Sequence, residues 1–338
     1  MPEKNYNAET EEFLRDLPLR AEEIGFKPAE MIECRKCARA NAPTRLKCMY
    51  CGADLEIAAE RAGRVKPNLR KLETFEPGFN LIYLPGDRQI SGELVRQTAR
   101  SLGLEAESLQ RLLEARRPLP VMRCETGGEA AFLQNRLREA GITTSIVADE
   151  QLAADVSPKR LRALEFRDRY IFLTLFNKNE IEAVDVENLK VIVTGAIFQR
   201  EVEATEARKK GESKILHATE TASDESLIDL YTAGDALGYR ILTKGFDFSC
   251  LGAEKGIVAH ENIKRLIGKL QRAAPAANFV DDYLKVRNLL GAIWELEERK
   301  DSQGLTRHRI GKFELNNVTS SSNLRQFTKY SRLQRHLL

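Results

Sequence analysis

The stretch Cys34-Arg-Lys-Cys37, ten further residues, then Cys48-Met-Tyr-Cys51-Gly52-Ala-Asp-Leu55 carries the most legible chemistry in the sequence. A CxxC turn aims two thiolates at one point, and a short loop between two such turns brings four thiolates together. That is the donor set of a tetrahedral zinc ion. Gly52, just past the second pair, supplies the backbone freedom that the turn requires. With Cys34, Cys37, Cys48 and Cys51 all used as ligands, no position remains for water. The spacing therefore predicts one structural zinc ion and no catalytic one.

The pattern Cys34-x2-Cys37-x3-Asn41-x6-Cys48-x2-Cys51-Gly52-x2-Leu55 resembles the small bacterial zinc-ribbon module, including its Asn and its Gly-x-x-Leu tail. In spacing it is also similar to the Ran-binding-protein type of zinc finger, whose members bind single-stranded RNA or ubiquitin. That family has Trp two residues before the first Cys, where this chain has Ile32. The Thr-Phe pair of its ubiquitin binders is Ala38-Arg39 here. The resemblance implies the metal and leaves the ligand open.

The chain of 338 residues is long enough for two or three compact units. Its 42% hydrophobic and 30% charged residues fit a globular protein with ample core-forming side chains. The net charge of +3 gives no whole-chain drive toward nucleic acid or anionic membrane, so any basic surface has to be local. Beyond the four paired cysteines only Cys124 and Cys250 remain, too few for a disulfide framework, which points to a reducing compartment. The opening MPEKNYNAETEEF is polar and acidic rather than signal-like. No apolar run approaches the ~20 residues of a membrane span. The expected location is the cytoplasm.

In order, the sequence reads as an acidic N-terminal helix (1–30, with Phe13, Leu14 and Leu17 before Pro18), the ribbon (31–57) and a basic linker (58–78). Arg61, Arg64, Lys66, Arg70 and Lys71 in the linker join Arg35, Lys36, Arg39, Arg45 and Lys47 of the ribbon as the most basic region of the N-terminal third. Residues 79–149 alternate strand and helix. The strand Phe79-Asn-Leu-Ile-Tyr-Leu84 leads into a helix with Leu94, Val95, Thr98 and Leu102 on its apolar face. A second helix carries Leu109, Leu112 and Leu113, and a strand follows at Val121-Met-Arg-Cys124. The third helix carries Phe132, Leu133 and Leu137, and a last strand spans residues 143–147. The expectation is a small two-layer β-α-α-β-α-β sandwich.

That order, with Phe79-Asn80, Leu102-Gly103-Leu104 and Leu137-x-x-Ala140-Gly141, resembles the C-terminal domain of the ribosomal stalk protein and the similarly folded protease adaptor ClpS. The resemblance covers about a fifth of the chain and implies a protein-binding module. Its ligand positions are changed. Leu94 and Gln97 stand where the stalk domain has basic residues, and Pro85-Gly86-Asp87 replaces the adaptor's Asn-Asp-Asp turn.

From residue 157 the pattern turns to strands: Tyr170-Ile-Phe-Leu-Thr-Leu-Phe176, Leu189-Lys-Val-Ile-Val-Thr194, Ile197-Phe198, then residues 201–203, 214–218, 226–232, 239–242 and 246–250. An amphipathic helix follows through Ile263, Leu266, Ile267 and Leu270. This layout over 157–275 loosely resembles a pleckstrin-homology-like barrel, for which Arg208-Lys209-Lys210 would be the basic cluster. The remainder, 276–338, reads as a helical extension. It has a helix over 280–298 that contains Trp294, a polar stretch over 299–309, and a last helix with Phe327, Tyr330 and Leu333 among Arg325, Lys329, Arg332 and Arg335. Partner helix, RNA and the barrel itself are all open as docking surfaces for that last helix. The fold class is thus multidomain α+β: zinc ribbon, small sandwich, mostly antiparallel barrel-like domain and C-terminal helices.

No Walker loop, GxGxxG after a strand, GxSxG or HExxH occurs, and His217, His260, His308 and His336 are scattered. No catalytic residue is nominated. Asp247 and Cys250 read as parts of a buried strand, and Glu180, Glu182, Asp185 and Glu187, by their alternation, as the solvent side of another strand. Three functions remain. The first is a non-enzymatic adaptor with an unidentified protein partner. The second is an RNA- or ribosome-associated factor using the basic ribbon, linker and tail. The third is an enzyme with a pocket in the C-terminal half.

Overall fold

The computed structural model describes residues 26–27, 30–56, 70–87, 90–176, 178, 180–209, 212–309 and 312–338. Residues 1–25 of the expected N-terminal helix and 58–69 of the basic linker lie outside the described residues. The chain divides into two compact units, Met1–Arg70 and Lys71–Leu338.

The described part of the first unit is built on a two-residue ladder. Strands β1 (Ile32–Glu33) and β2 (Ala40–Asn41) pair antiparallel, with Ile32 opposite Asn41. Cys34, Cys48 and Leu55 form its small core, with Ile32, Cys37, Cys51 and Ala53 against them. Such a core is too small to hold a fold by burial alone, which puts the weight on the cysteines.

The second unit is mixed α+β, with several helices and a large curled sheet. It opens with β3 (Phe79–Tyr83), α1 (Gly92–Leu102), α2 (Ala106–Glu114), β4 (Leu119–Cys124), α3 (Gly127–Glu139) and β5 (Thr144–Ala148), with a short α4 (Asp149–Leu152) after them. β3 lies between β4 and β5 and is antiparallel to both. Each helix starts and stops where local chemistry dictates. Ser91 accepts from the Leu94 N–H at the start of α1, and Gly103 closes it in the left-handed region at φ 68°. Thr126 and Glu129 form a reciprocal capping box on α3, a device worth about 1 kcal/mol. Val95, Thr98, Ala99 and Leu102 of α1 and Phe132, Leu133 and Leu137 of α3 are buried.

The larger sheet runs in the order β13-β14-β9-β10-β11-β6-β7-β8, with β12 beside β9. Its strands are β6 (Lys159–Arg167), β7 (Tyr170–Leu175), β8 (Ile181–Asp185), β9 (Leu189–Lys209), β10 (Glu212–Thr232), β11 (Tyr239–Leu242), β12 (Asn278–Val280), β13 (Glu297–Arg309) and β14 (Lys312–Ser322). Three helices complete the unit: α5 (Ala259–Ala273), α6 (Tyr283–Leu290) and α7 (Leu324–His336).

The middle of this sheet is covered on both faces, and strand alternation shows how. Ile192, Ile228, Leu230 and Ile241 share a core with Ile263, Leu266 and Leu270 of α5. Residues of the opposite parity meet α7. Gly195 lies against Phe327, Tyr231 bonds Ser331, and Arg240 reaches Thr328. A Cβ at Gly195 would enter the Phe327 ring, 2.7 Å from its Cδ2, so the strand needs glycine for the helix to approach.

Several expectations are corrected here. Residues 214–218 and 226–232 are not separate strands but parts of the 21-residue β10, because the β9 ladder continues without a break in the chain between them. Residues 246–250 do not form a strand. Asp247 accepts from the Ser249 N–H and turns the chain into a 3-10 segment, Phe248–Glu254. The helix expected over 280–298 is only Tyr283–Leu290, after which a turn returns Trp294 to a buried position. The region 276–338 is not wholly helical, since β12, β13 and β14 lie within it and β14 extends the ladder of β9.

The last helix takes the self-docking alternative of the three left open for it. Residues 326–334 of α7 are all buried, and its cations face acids and carbonyls inside the unit. Lys329 meets Asp149 at 2.9 Å, and Arg332 donates to the carbonyls of Leu152, Ala153 and Val156. Arg325 pairs with Asp155, and Arg335 donates to the Ala233 carbonyl. The tail therefore docks on its own sheet, one of the three surfaces that the sequence leaves open for it.

Candidate metal centre

The four cysteines nominated from the sequence come together. The sulfurs of Cys34, Cys37, Cys48 and Cys51 lie within 4.8 Å of one another. Cys34 Sγ is 3.6 Å from Cys51 Sγ, and Cys37 Sγ is 3.5 Å from Cys48 Sγ. A tetrahedron with metal–sulfur bonds of about 2.3 Å has edges of roughly 3.8 Å. The cluster matches that size, so these residues can hold one metal ion.

The two turns are built alike. The Ala38 N–H donates to the Cys34 carbonyl at 2.7 Å, and the Gly52 N–H to the Cys48 carbonyl at 2.9 Å. The residue after each second cysteine is left-handed, Ala38 at φ 55° and Gly52 at φ 70°. Glycine adopts that conformation freely, and alanine at a cost of about 1 kcal/mol. The sequence supplies glycine at only one of the two equivalent positions.

The groups around the sulfurs suit thiolates. Asn41, fully buried, donates its amide to Cys48 Sγ at 3.4 Å and accepts the Met49 N–H on its Oδ1 at 2.9 Å. The Tyr50 N–H also donates to Cys48 Sγ, at 3.4 Å. Desolvation raises the Cys48 thiol, but the N–H groups of Tyr50 and Cys51 and the Asn41 amide outweigh it and bring it down to about 6. At Cys37 the Arg39 N–H lowers the thiol, yet burial and the three neighbouring sulfurs push it up to about 12. Four sulfurs this close cannot all carry charge without a cation among them, and a divalent ion supplies that charge. Asn41 thus has a physical role where the sequence shows only its presence in a motif.

The surface of this module is mixed. Met49 and Tyr50, between the second pair of cysteines, are 59% and 50% exposed. The Arg39 guanidinium lies over the Tyr50 ring at 4.8 Å from its centroid. Lys36 and Arg45 are also exposed, and Arg35 is held by Glu56 at 2.6 Å. Of the linker cations, Arg61, Arg64 and Lys66 lie outside the described residues, as does Lys210 of the cluster at 208–210.

Elsewhere the remaining candidates become structural groups. Burial pushes the Cys124 thiol up to about 12. Cys250 is half-buried and Asp247 caps the 3-10 turn. Glu182 accepts from the Tyr239 hydroxyl at 2.6 Å and pairs with Lys159, and Asp185 pairs with Arg169. The sequence offers no sign of the buried polar groups around α7, which join residues 43 to 180 positions apart. Only the polar composition of a segment ending the chain hints that partners are needed there. A groove of about 580 Å³ beside β9 and β14 is lined by hydroxyls of Thr221, Ser223, Ser320 and Ser322 with Glu201 and Arg299. Among the described residues, no helix is long and apolar enough to cross a membrane.

Comparison of the chain with protein-family models, with curated proteins and with solved structures finds no match.

Proposed function

We propose that this chain is a non-catalytic adaptor whose ribbon module, held by one structural zinc ion, presents a recognition surface to a protein partner. The observation that carries the reading is the exposed pair Met49-Tyr50 on a turn whose flanking cysteines all point inward to the metal position. Four thiolates satisfy a tetrahedral ion and leave no site for substrate. Rigid turns that expose Tyr and Met favour binding, because those side chains bury large areas at low entropic cost. Thiolate donors select zinc over harder ions. The stalk-protein and ClpS likeness of residues 79–149 supports a second protein-binding module in the same chain, with a ligand position unlike that of either family.

A second reading, single-stranded RNA, has one specific support. Arg39 stacked on the exposed Tyr50, with Lys36 and Arg45 on the same small module, is a platform of the kind that bases stack on.

The test is affinity capture with the zinc-loaded full chain, comparing wild type with M49A/Y50A and with a charge reversal at Arg35 and Lys36, each with and without RNase. Proteins that resist RNase and disappear with M49A/Y50A support the adaptor. A set lost on RNase treatment, at high salt and with the charge reversal supports the RNA reading. Capture unaffected by either variant overturns the ribbon as the recognition surface.

A further inference from the structure

The outer edge of β10 presents, among the described residues, an unpaired length of backbone. Among the described residues, β11 covers only Leu227–Leu230 of β10, and the Thr243 N–H reaches the Ser226 carbonyl. At the other end the ladder slips between Ile215 and His217, a bulge that bends the edge. Between these limits residues 217–225 bond to β9 on one side and to no strand on the other, and residues 217–224 are exposed. Nine residues of strand are about 30 Å of free N–H and C=O groups.

Sheets guard such edges with charge, bulges or cover. The opposite edge of this sheet, β13, is guarded: Glu297, Glu298, Arg299, Lys300 and Asp301 follow one another, and two register shifts interrupt it. The β10 edge reads His217-Ala-Thr-Glu-Thr-Ala-Ser-Asp-Glu225, rich in small and β-branched residues, with acids at Glu220, Asp224 and Glu225.

We propose that this edge pairs with the same edge of a second copy of the chain, making a two-fold symmetric dimer with its dyad at Thr221. Two identical edges join antiparallel about an axis perpendicular to the sheet, which places each residue opposite a residue of the same parity. Thr221 is the midpoint of the free length, so a dyad there uses all of it. In that register His217 faces Glu225, Thr219 faces Ser223, Ala218 faces Asp224, Glu220 faces Ala222 and Thr221 faces itself. No two acids are opposed.

The neighbouring registers are worse. A dyad at Glu220 sets Glu220 against its own copy, and a dyad at Ala222 sets Glu220 against Asp224. Like charges directly opposite destabilise a pair of strands. Arg200 holds Glu220 toward β9 at 2.8 Å and so fixes that carboxylate in place. Charge complementarity and the two ends of the free edge select the same register independently.

The experiment is light scattering on the full zinc-loaded chain during size exclusion. Wild type is expected at twice the 38.2 kDa of the monomer. T221K and T221E are each expected to weaken association by roughly tenfold or more, because each puts like charges at the dyad. An equimolar mixture of the two should recover the dimer, since Lys then faces Glu across the axis. That recovery also shows that both variants fold. A monomeric wild type, a dimer indifferent to both substitutions, or a mixture that stays monomeric overturns the proposal.

Discussion

Lys329 Nζ lies 2.9 Å from Asp149 Oδ1, and the two side chains, 180 residues apart, are 6% and 14% exposed. Asp149 also accepts from Arg123 Nε at 2.8 Å and from the Asn80 amide at 3.1 Å, while Asn80 accepts from the Trp294 indole at 2.8 Å. One carboxylate thus ties β3, β4, α7 and the turn after α6 together. On the far side of α7, Asp229 and Arg240 form a buried fork with 2.7 Å bonds on both arms. The helix is polar because Gln326, Thr328, Lys329, Tyr330, Ser331 and Arg332 each bond a group in the elements it joins.

Truncating Asp149 strands two cations in a buried site. We expect Asp149→Ala to cost about 3–5 kcal/mol, the usual penalty for removing one partner of a buried pair. Lys329→Met keeps the stem packed on Trp294 and leaves Asp149 with Arg123, so its cost should be less than half as large. Denaturant titrations of both single variants and the double variant measure this. Additive costs would show that the two residues do not act as a unit.

The same carboxylate sets an acid limit. Burial pushes the Asp149 pKa up, but Lys329, Asn80 and Arg123 outweigh it and hold the group below its ordinary 3.8. A carboxylate with a lowered folded pKa stabilises the fold above its unfolded pKa and loses that contribution as pH falls through the folded value. Stability should therefore drop below about pH 3.8, and Asp149→Asn should flatten that limb while lowering stability at neutral pH. Melting temperatures across pH 2–6 decide it. An acid limb of unchanged slope in the variant assigns the transition to other carboxylates.

Metal removal should act on the ribbon module alone. One zinc per chain is expected by elemental analysis, and Cys48→Ser should abolish it by removing the sulfur that Asn41 and Tyr50 hold. Chelation should release protons, unfold the module around Cys34 and Cys48, and leave the melting of Lys71–Leu338 in place. Ala38→Gly should slow loss of the metal to a chelator, because it removes about 1 kcal/mol of left-handed strain, and Gly52→Ala should speed it by a similar amount.

What could be read from the sequence was whatever is written locally. Paired cysteines specify their own geometry, and Val95, Thr98 and Leu102 repeat at a spacing that only a helix buries on one side. The strands at Leu189 and Leu227 announce themselves by mostly apolar runs, broken by Lys190 and Asp229, because the middle of the sheet is covered on both faces. Of the outer parts of β9 and β10 only residues 201–203 and 214–218 are marked as strand in the sequence; residues 217–224 are exposed, and beyond 218 the ladder alone makes them strand. For residues 324–336 the docking surface stays open in the sequence because their burial depends on Asp149, Tyr231, Arg240 and Asp282, which no window of sequence places beside them. Phe246 and Phe248 alternate like a strand, but Asp247 caps the turn between them.

Gly195 tests how α7 is seated. A Cβ there would meet the Phe327 ring and lie 3.1 Å from Cδ1 of Tyr283, and those rings are already packed edge to face, 4.9 Å apart at 84°. Neither ring can withdraw freely, since the Tyr283 hydroxyl donates to Gln326 and accepts from Asn323. Gly195→Ala should therefore cost about 1–3 kcal/mol, the range for overpacking a filled core. Phe327→Leu should cost a comparable amount alone by leaving a cavity. Combined, the two changes should cost less than their sum, because the smaller side chain makes room for the new methyl. Denaturant titration of the three variants gives the coupling. Strict additivity would mean that α7 does not rest on the strand at this point.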